Sequence, residues 1–369
     1  MKSVAILVQS SELGGVSRVV RNLASGLYSR GYSVSIISCD GRGAAYDQLG
    51  GEIDVIDLGV RSSHGDGKIA AGMPALRRFL KRELPDVLIA APGLAGQFSL
   101  LASRGLPIRV IVLIDNRVTL IRSKSALHRV AYAIGSHLYK RASSIVLASD
   151  SALDDFKKTY PLLAEKACRI YHPLIPNCIE GLAAEKPSLD MPHDVRLVVS
   201  AGRLVAEKDF STLLKSFAQV AISEQGISLL ILGEGELRQE LETEARNLGI
   251  SERVVMPGAV SNVYPYFAMA DVFVLSSVSE AFGNVIVEAL SCGTPVVATR
   301  CESGGPQEIL SHGKFGYLCN RGDSEGIAKA ILATLQERES KTSLLKQRGA
   351  EFSIESSADQ YSSLIEGLK

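Results

Sequence analysis

Ser276-Ser-Val-Ser-Glu-Ala-Phe-Gly-Asn-Val-Ile-Val-Glu-Ala-Leu-Ser-Cys-Gly-Thr-Pro-Val-Val297 is the stretch that decides the fold. Ahead of it, residues 271–275 have the length and β-branched content of a buried strand. Polar residues follow, then Phe282-Gly283-Asn284, then an apolar helical pattern that stops near Cys292-Gly293. Gly293 supplies a C-cap, Pro295 cannot continue a helix, and residues 295–298 begin another strand. The unit is therefore a strand, a loop and a helix whose amino end opens at Gly283-Asn284.

A phosphate fits that opening. The first-turn N–H groups have no intrahelical partners, and the helix dipole favours negative charge there. Gly283 has no side chain to hold a ligand off the backbone. Glu288 lies four residues after Asn284 and shares its helix face, where a carboxylate can accept from two neighbouring hydroxyls, as on a ribose. Glu280, in the preceding loop, is placed to meet a sugar beyond the phosphates. On spacing alone the blander alternatives stay open: an acid suited to the helix dipole, and a solvated mid-helix Glu.

The same strand–helix rhythm runs outward in both directions. In the amino half, strands are predicted at 4–8, 33–38, 54–58, 87–90, 110–114 and 144–148, with helices at 16–29, 73–83, 96–104 and 125–141. A second series has strands at 195–201, 228–232, 254–256, 271–275 and 295–298, with helices at 209–222, 237–248, 263–269 and 324–337. Such alternation argues for parallel sheets covered on both faces. The expected fold is α/β, with two facing doubly wound, Rossmann-like domains and an interdomain cleft. Domain limits are set at 1–178 and 179–350, with residues 176–193 as linker and a final helix at 351–369 set off by Gly349.

A chain of 369 residues can bury two cores. Lys plus Arg and Asp plus Glu balance at 40 each, so no global field argues for a nucleic-acid partner. The six Cys form no C-x-x-C pair, which fits a reduced, cytoplasmic protein. The opening apolar run, 4–8, is too short for a signal-peptide core or a transmembrane helix.

Residues Glu280-Ala281-Phe282-Gly283-Asn284 through Glu288 resemble the Glu-x7-Glu signature of the retaining, nucleotide-sugar-dependent glycosyltransferases of family 4, with Ala281 where the family usually has Gly. A second run, Gly202-Arg-Leu-Val-Ala-Glu-Lys-Asp209, puts two cations five positions apart in a loop and is similar to the family's Gly-Arg-Leu-x-x-x-Lys-Asp segment. The resemblance implies that Arg203 and Lys208 clamp a diphosphate, that Glu280 orients the donor sugar, and that Phe282, Gly283, Asn284, Val285 and Glu288 complete the donor site. Gly14-Gly15 fits a tight βα turn as well as a close ligand approach, and the family places Gly15 near the donor. Gly233-Glu-Gly-Glu236 reads equally as a βα turn or, through Gly235, as a nucleotide loop. The segment 257–260 matches the place where the family's backbone meets the base, here at Val260. In 301–309 two consecutive Gly leave room for a sugar or acceptor, with Glu308 capping the following helix. Asp115, beside Asn116, takes the place where relatives carry a His near the donor sugar, and Asp can accept but not donate there.

The resemblance implies a final helix crossing back to the first domain and transfer of a sugar from a nucleotide sugar, a UDP-sugar by the family's bacterial habit. The acceptor would be a glycan or lipid-linked hydroxyl, with no cofactor. Absence of a D-x-D pair speaks against a metal-held diphosphate. Basic residues at 77, 78, 81 and 82, and at 117, 122, 124, 129, 140 and 141, form a solvated face or a contact with anionic membrane at the inner face of the cell. Two rivals remain: a nucleotide-sugar epimerase of the same architecture, and a non-catalytic two-lobed binding protein.

Overall fold

The structure is a computed structural model, and it describes residues 1–369 apart from 10–13, 42, 44–45, 47–48, 50, 61–66, 124–131, 134, 136, 188–194, 338–340 and 369. The chain divides into two compact units, Met1–Leu174 with Ser353–Lys369, and Ile175–Phe352.

The first unit holds seven parallel strands: β1 (Ser3–Val8), β2 (Ser33–Ser38), β3 (Asp54–Asp57), β4 (Val87–Ala90), β5 (Arg109–Ile114), β6 (Ser144–Leu147) and β7 (Ala167–Arg169). Their order is β3-β2-β1-β4-β5-β6-β7. Ala5 and Leu7 enter the core on one face while Val4, Ile6 and Val8 enter the other. A strand buried on both faces has no polar side to show, so its sequence reads as an unbroken apolar run. Helix Ile354–Gly367 packs on helix Gly15–Tyr28, with Tyr361 and Ile365 in the core. Lys2–Glu366 and Arg30–Asp359, both at 2.7 Å, fix its outer side.

The second unit has six parallel strands: β8 (Arg196–Ala201), β9 (Ile227–Leu232), β10 (Val254–Gly258), β11 (Val272–Leu275), β12 (Val296–Thr299) and β13 (Tyr317–Cys319). Their order is β10-β9-β8-β11-β12-β13. In each unit the chain starts centrally, winds one way, then crosses to wind the other, so the switch lies between β1 and β4 and between β8 and β11.

Both crossings use one device. Asp86, just before β4, accepts the Ser3 amide at 2.8 Å, and Asp271, just before β11, accepts the Leu197 amide at 2.7 Å. Each carboxylate satisfies a donor at the start of the central strand, which pins the strand pair formed by the most distant segments of each sheet. The Ser3 amide and hydroxyl hold the Asp86 carboxyl below its ordinary range. With the folded value depressed, that contribution is present above the unfolded value of about 3.9 and is lost as pH falls through the folded one. Asp86→Ala and Asp271→Ala should each cost about 1–3 kcal/mol in a urea titration at pH 7. For Asp86→Ala the deficit should close at strongly acid pH.

Several expectations change. The proposed linker, 176–193, contains helix Ile179–Ala184, which packs on helices Tyr264–Met269 and Asn284–Cys292. The units divide at Leu174/Ile175. Gly349 sets nothing off: it lies inside helix Thr342–Ala350, packed against helix Asn284–Cys292. The predicted helix 125–141 falls largely outside the described residues, and the described part ends in a 3-10 turn at Tyr139–Arg141. Helix Asp150–Thr159 escapes a reading of periodicity because its buried face is only Ala152, Asp155 and Phe156. Strands β7 and β13 escape it because each is a three-residue edge strand.

Candidate active site

The loops that leave β8 and β11 emerge side by side at the switch point of the second sheet, where open α/β sheets bind ligands. Loop 202–209 follows β8 and loop 276–283 follows β11. They are bonded together: the Val278 amide donates to the Glu207 carbonyl at 2.9 Å, and Ser276 Oγ donates to the Lys208 carbonyl at 2.9 Å. Lys208 Nζ reaches Glu280 Oε1 at 2.5 Å, and Ser277 Oγ donates to the same oxygen at 2.7 Å. The two charged side chains are only 18% and 11% exposed, so their attraction is less screened than that of a surface pair. Two residues read separately as a phosphate clamp and a sugar ligand are thus each other's partner.

Arg203, on the same loop, is exposed and makes no ion pair with any described residue. Its loop is braced from β9. Cβ atoms added at Gly233 and Gly235 would lie 1.9 Å from the Gly202 carbonyl oxygen and 2.4 Å from that of Leu204. The Leu204 amide meanwhile donates to the Glu234 carbonyl at 2.9 Å. The glycines of 233–236 are therefore required by backbone packing against the Arg203 loop. Gly258 closes the same knot, its carbonyl accepting from the Gly233 amide at 2.8 Å, with Val260 half-buried just beyond.

Helix Asn284–Cys292 begins where the sequence places it, with Gly283 as N-cap at φ 103° and no side-chain cap hydrogen bond, while the Ile286 amide donates to the Gly283 carbonyl at 2.9 Å. Ala281, where the resembled family has Gly, takes no left-handed conformation, so the loop tolerates its methyl group. Asn284 and Val285 are half-buried at the opening. Two expectations need correction. Phe282 is a core residue, 2% exposed, its ring 5.8 Å from that of Phe352, so only its backbone is available to a ligand. Glu288 is not a solvated mid-helix acid either. It is 1% exposed, inside the helix packing. Burial, with the Glu288 carboxylate adding to it, pushes the Cys292 thiol up to about 12. Burial followed by Glu280 likewise lifts Cys301 to about 11, so both stay neutral thiols at physiological pH.

Room expected at the Gly305 end of the glycine pair is taken by protein, because a Cβ there would sit 2.2 Å from the Phe282 carbonyl oxygen. Glu308 lies within helix Gly305–Ile309 instead of capping a later one, and its carbonyl accepts from Arg348 Nη2 at 2.8 Å.

A set of buried hydroxyls went unread in the sequence. Ser200, Ser276, Ser277 and Thr299 are each at most 1% exposed and lie at the carboxyl ends of β8, β11 and β12. Ser200 Oγ donates to the Val274 carbonyl at 2.7 Å, and Thr299 Oγ1 to the Ser277 carbonyl at 2.5 Å. Hydroxyl residues closing three apolar strands were the available signal.

In the first unit, Gly15 opens helix Gly15–Tyr28 behind its extended N-cap Gly14. Asp115 and Asn116 are half-buried just past β5, with Asn116 Oδ1 accepting from the Arg117 amide at 2.8 Å. The basic residues do not act as one face. Arg117 lies 3.5 Å from the buried Asp155, Arg77 donates to the Ala102 and Arg104 carbonyls at 2.6 and 3.0 Å, and Arg82 pairs with Glu83. Arg78, Lys81, Lys140 and Arg141 are exposed, and the side chains at 122, 124 and 129 lie outside the described residues.

Residues 183–350 match the family model described as glycosyl transferases group 1, and residues 13–176 match that described as glycosyltransferase family 4. A lipopolysaccharide core biosynthesis glycosyltransferase of Rhizobium meliloti, LpsE, is 40% identical over 189 residues, covering 50% of this chain and 54% of that protein. An N-acetylgalactosaminyltransferase of Campylobacter jejuni, named for a diphospho-undecaprenol-linked acceptor, is 29% identical over 202 residues, covering 55% and 53%. The chain spans about half the length of these curated relatives. Among solved structures, HepE of Anabaena in complex with UDP and glucose superposes with a TM-score of 0.79 at 20% identity over 100% of both chains, a likeness of fold. With the two family models together matching residues 13–176 and 183–350, the chain belongs to the family 4 glycosyltransferases.

Proposed function

We propose that the protein is a retaining glycosyltransferase that moves a hexosyl or N-acetylhexosaminyl group from a UDP-sugar to a hydroxyl of a glycan or lipid-linked acceptor. The observation that carries the reading is the Lys208–Glu280 pair at the switch point of the second sheet, with Glu280 on the loop that leads into the glycine-capped helix start at Gly283. Arg203, Lys208 and the first-turn amides would take up the charge of the departing diphosphate, which is where catalysis of this transfer is needed. Glu280 would accept a hydroxyl of the donor sugar. Among the residues that close these strands no carboxylate stands out as a nucleophile, and a leaving phosphate oxygen can itself take the acceptor's proton. The reading needs no cofactor beyond the nucleotide-sugar co-substrate.

Support for the donor comes from HepE, whose structures carry UDP, UDP-glucose, or UDP with glucose. Support for the acceptor comes from the names of the Rhizobium and Campylobacter relatives. A lipid-linked acceptor would bring the chain to the cytoplasmic face of a membrane, where exposed Arg78, Lys81 and Arg141 suit anionic lipid. Among the described residues no helix is long and apolar enough to cross one. Membership of a transferase family weighs against the epimerase and the non-catalytic binder.

A thermal-shift panel of nucleotide sugars tests the reading. A UDP-sugar at a hundred times its dissociation constant should add about 2.7 kcal/mol to stability. A panel in which ADP-, GDP- or CDP-sugars stabilise and UDP-sugars do not would replace the base, and one in which none stabilises would remove the donor site. Incubation with donor alone should leave the nucleotide sugar unepimerised.

A further inference from the structure

We infer that Ser277 is a positioning residue for Glu280, an inference that rests on the donor-site reading above. Ser277 is 1% exposed, and its hydroxyl donates to Glu280 Oε1 at 2.7 Å. That oxygen also receives Lys208 Nζ, whereas Oε2 makes no hydrogen bond with any described residue. One oxygen of the carboxylate is thus anchored twice and the other is left for a ligand.

The two anchors differ in kind. Lys208 is a cation on a flexible four-carbon stem, and a diphosphate entering beside it offers more negative charge than Glu280 does. Once Lys208 turns to that diphosphate, the serine hydroxyl is the remaining donor on Oε1. Ser277 cannot follow the ligand, because its backbone is fixed from the neighbouring strand. Thr299 Oγ1 donates to the Ser277 carbonyl at 2.5 Å, and Cys301 Sγ approaches the same carbonyl at 3.5 Å. A Glu side chain without this anchor would have to be ordered from several rotamers each time a sugar bound, which costs affinity for the sugar and nothing for the diphosphate.

Calorimetric titration with UDP and with UDP-glucose, UDP-galactose and UDP-N-acetylglucosamine tests this, taking whichever sugar nucleotide binds the unmodified chain most tightly. Ser277→Ala should weaken the sugar nucleotide roughly 10- to 100-fold, as loss of a hydrogen bond to a charged group does. UDP itself should stay within about twofold, since the Ser277 hydroxyl donates to the residue proposed to hold the sugar. Ser277→Thr, which keeps the hydroxyl, should restore the difference. In a Glu280→Ala background, which leaves the hydroxyl no side chain to hold, Ser277→Ala should add nothing further. Ser277→Cys, close in size and a weaker donor, replaces the alanine variant if that does not fold. Equal weakening of UDP and sugar nucleotide, or an undiminished loss in the Glu280→Ala background, would reduce Ser277 to packing and overturn the inference. A chain that binds none of the four probes overturns the uridine reading of the donor site instead, and shows this before any variant is made. If Glu280→Gln alone leaves sugar-nucleotide affinity unchanged, the role given to Glu280 fails.

Discussion

Glu280→Gln should lower sugar transfer by about 10²–10³ while UDP still binds as tightly as before or more tightly. The rate loss follows from replacing an ionised acceptor, held at one oxygen by Lys208 and Ser277, with an amide that presents only one acceptor oxygen. The gain in UDP affinity follows from the ion pair. Lys208 is already neutralised by Glu280, so a diphosphate has to compete for it. Removing the competing charge frees the ammonium for phosphate. Steady-state rates with a saturating UDP-sugar, alongside calorimetric UDP titrations, measure both effects. Full turnover in this variant is the result that the proposed chemistry cannot absorb. Weaker UDP binding would mean that Glu280 shapes the loop more than it competes for Lys208.

The two cations should separate from each other in a way that only their surroundings explain. Arg203→Ala removes an exposed side chain, so stability should move by no more than about 0.5 kcal/mol. Transfer should nonetheless drop by roughly 10- to 100-fold through lost charge on the leaving diphosphate. Lys208→Ala should show a comparable or larger loss of transfer together with a stability cost of about 1–3 kcal/mol, because it strands a carboxylate that is only 11% exposed. The double variant Lys208→Ala/Glu280→Ala should recover much of that stability and none of the transfer. Urea titrations and initial rates read the two quantities independently. UDP binding that is unchanged in both single variants, at low and at high salt, would move the diphosphate away from this loop.

Sequence reading reached the elements and the loops, and it stopped at what those loops do to one another. Unbroken apolar runs such as 87–90 and 229–232 are suited to burial on both faces of a parallel sheet, so the strands and their alternation follow from composition and spacing. Gly283 and Gly293 bound helix Asn284–Cys292 because both sit in left-handed backbone that other residues avoid, and that too is local. The Glu-x7-Glu and Arg-x4-Lys segments are local too, and their resemblance to the family's motifs is what pointed to a donor site.

What the sequence could not supply was lateral order. Lys208 and Glu280 are 72 residues apart, and they meet because β8 and β11 are neighbours across the switch point. The burial of Phe282 and Glu288, the serine and threonine braces, and the backbone contacts that demand glycine at 233, 235 and 305 all depend on the same sideways packing. Hydrophobic period and turn chemistry act over a few residues and are written in order along the chain. A salt bridge, a shared hydroxyl or a missing Cβ is decided by which strand lies next to which, and only the folded sheet decides that.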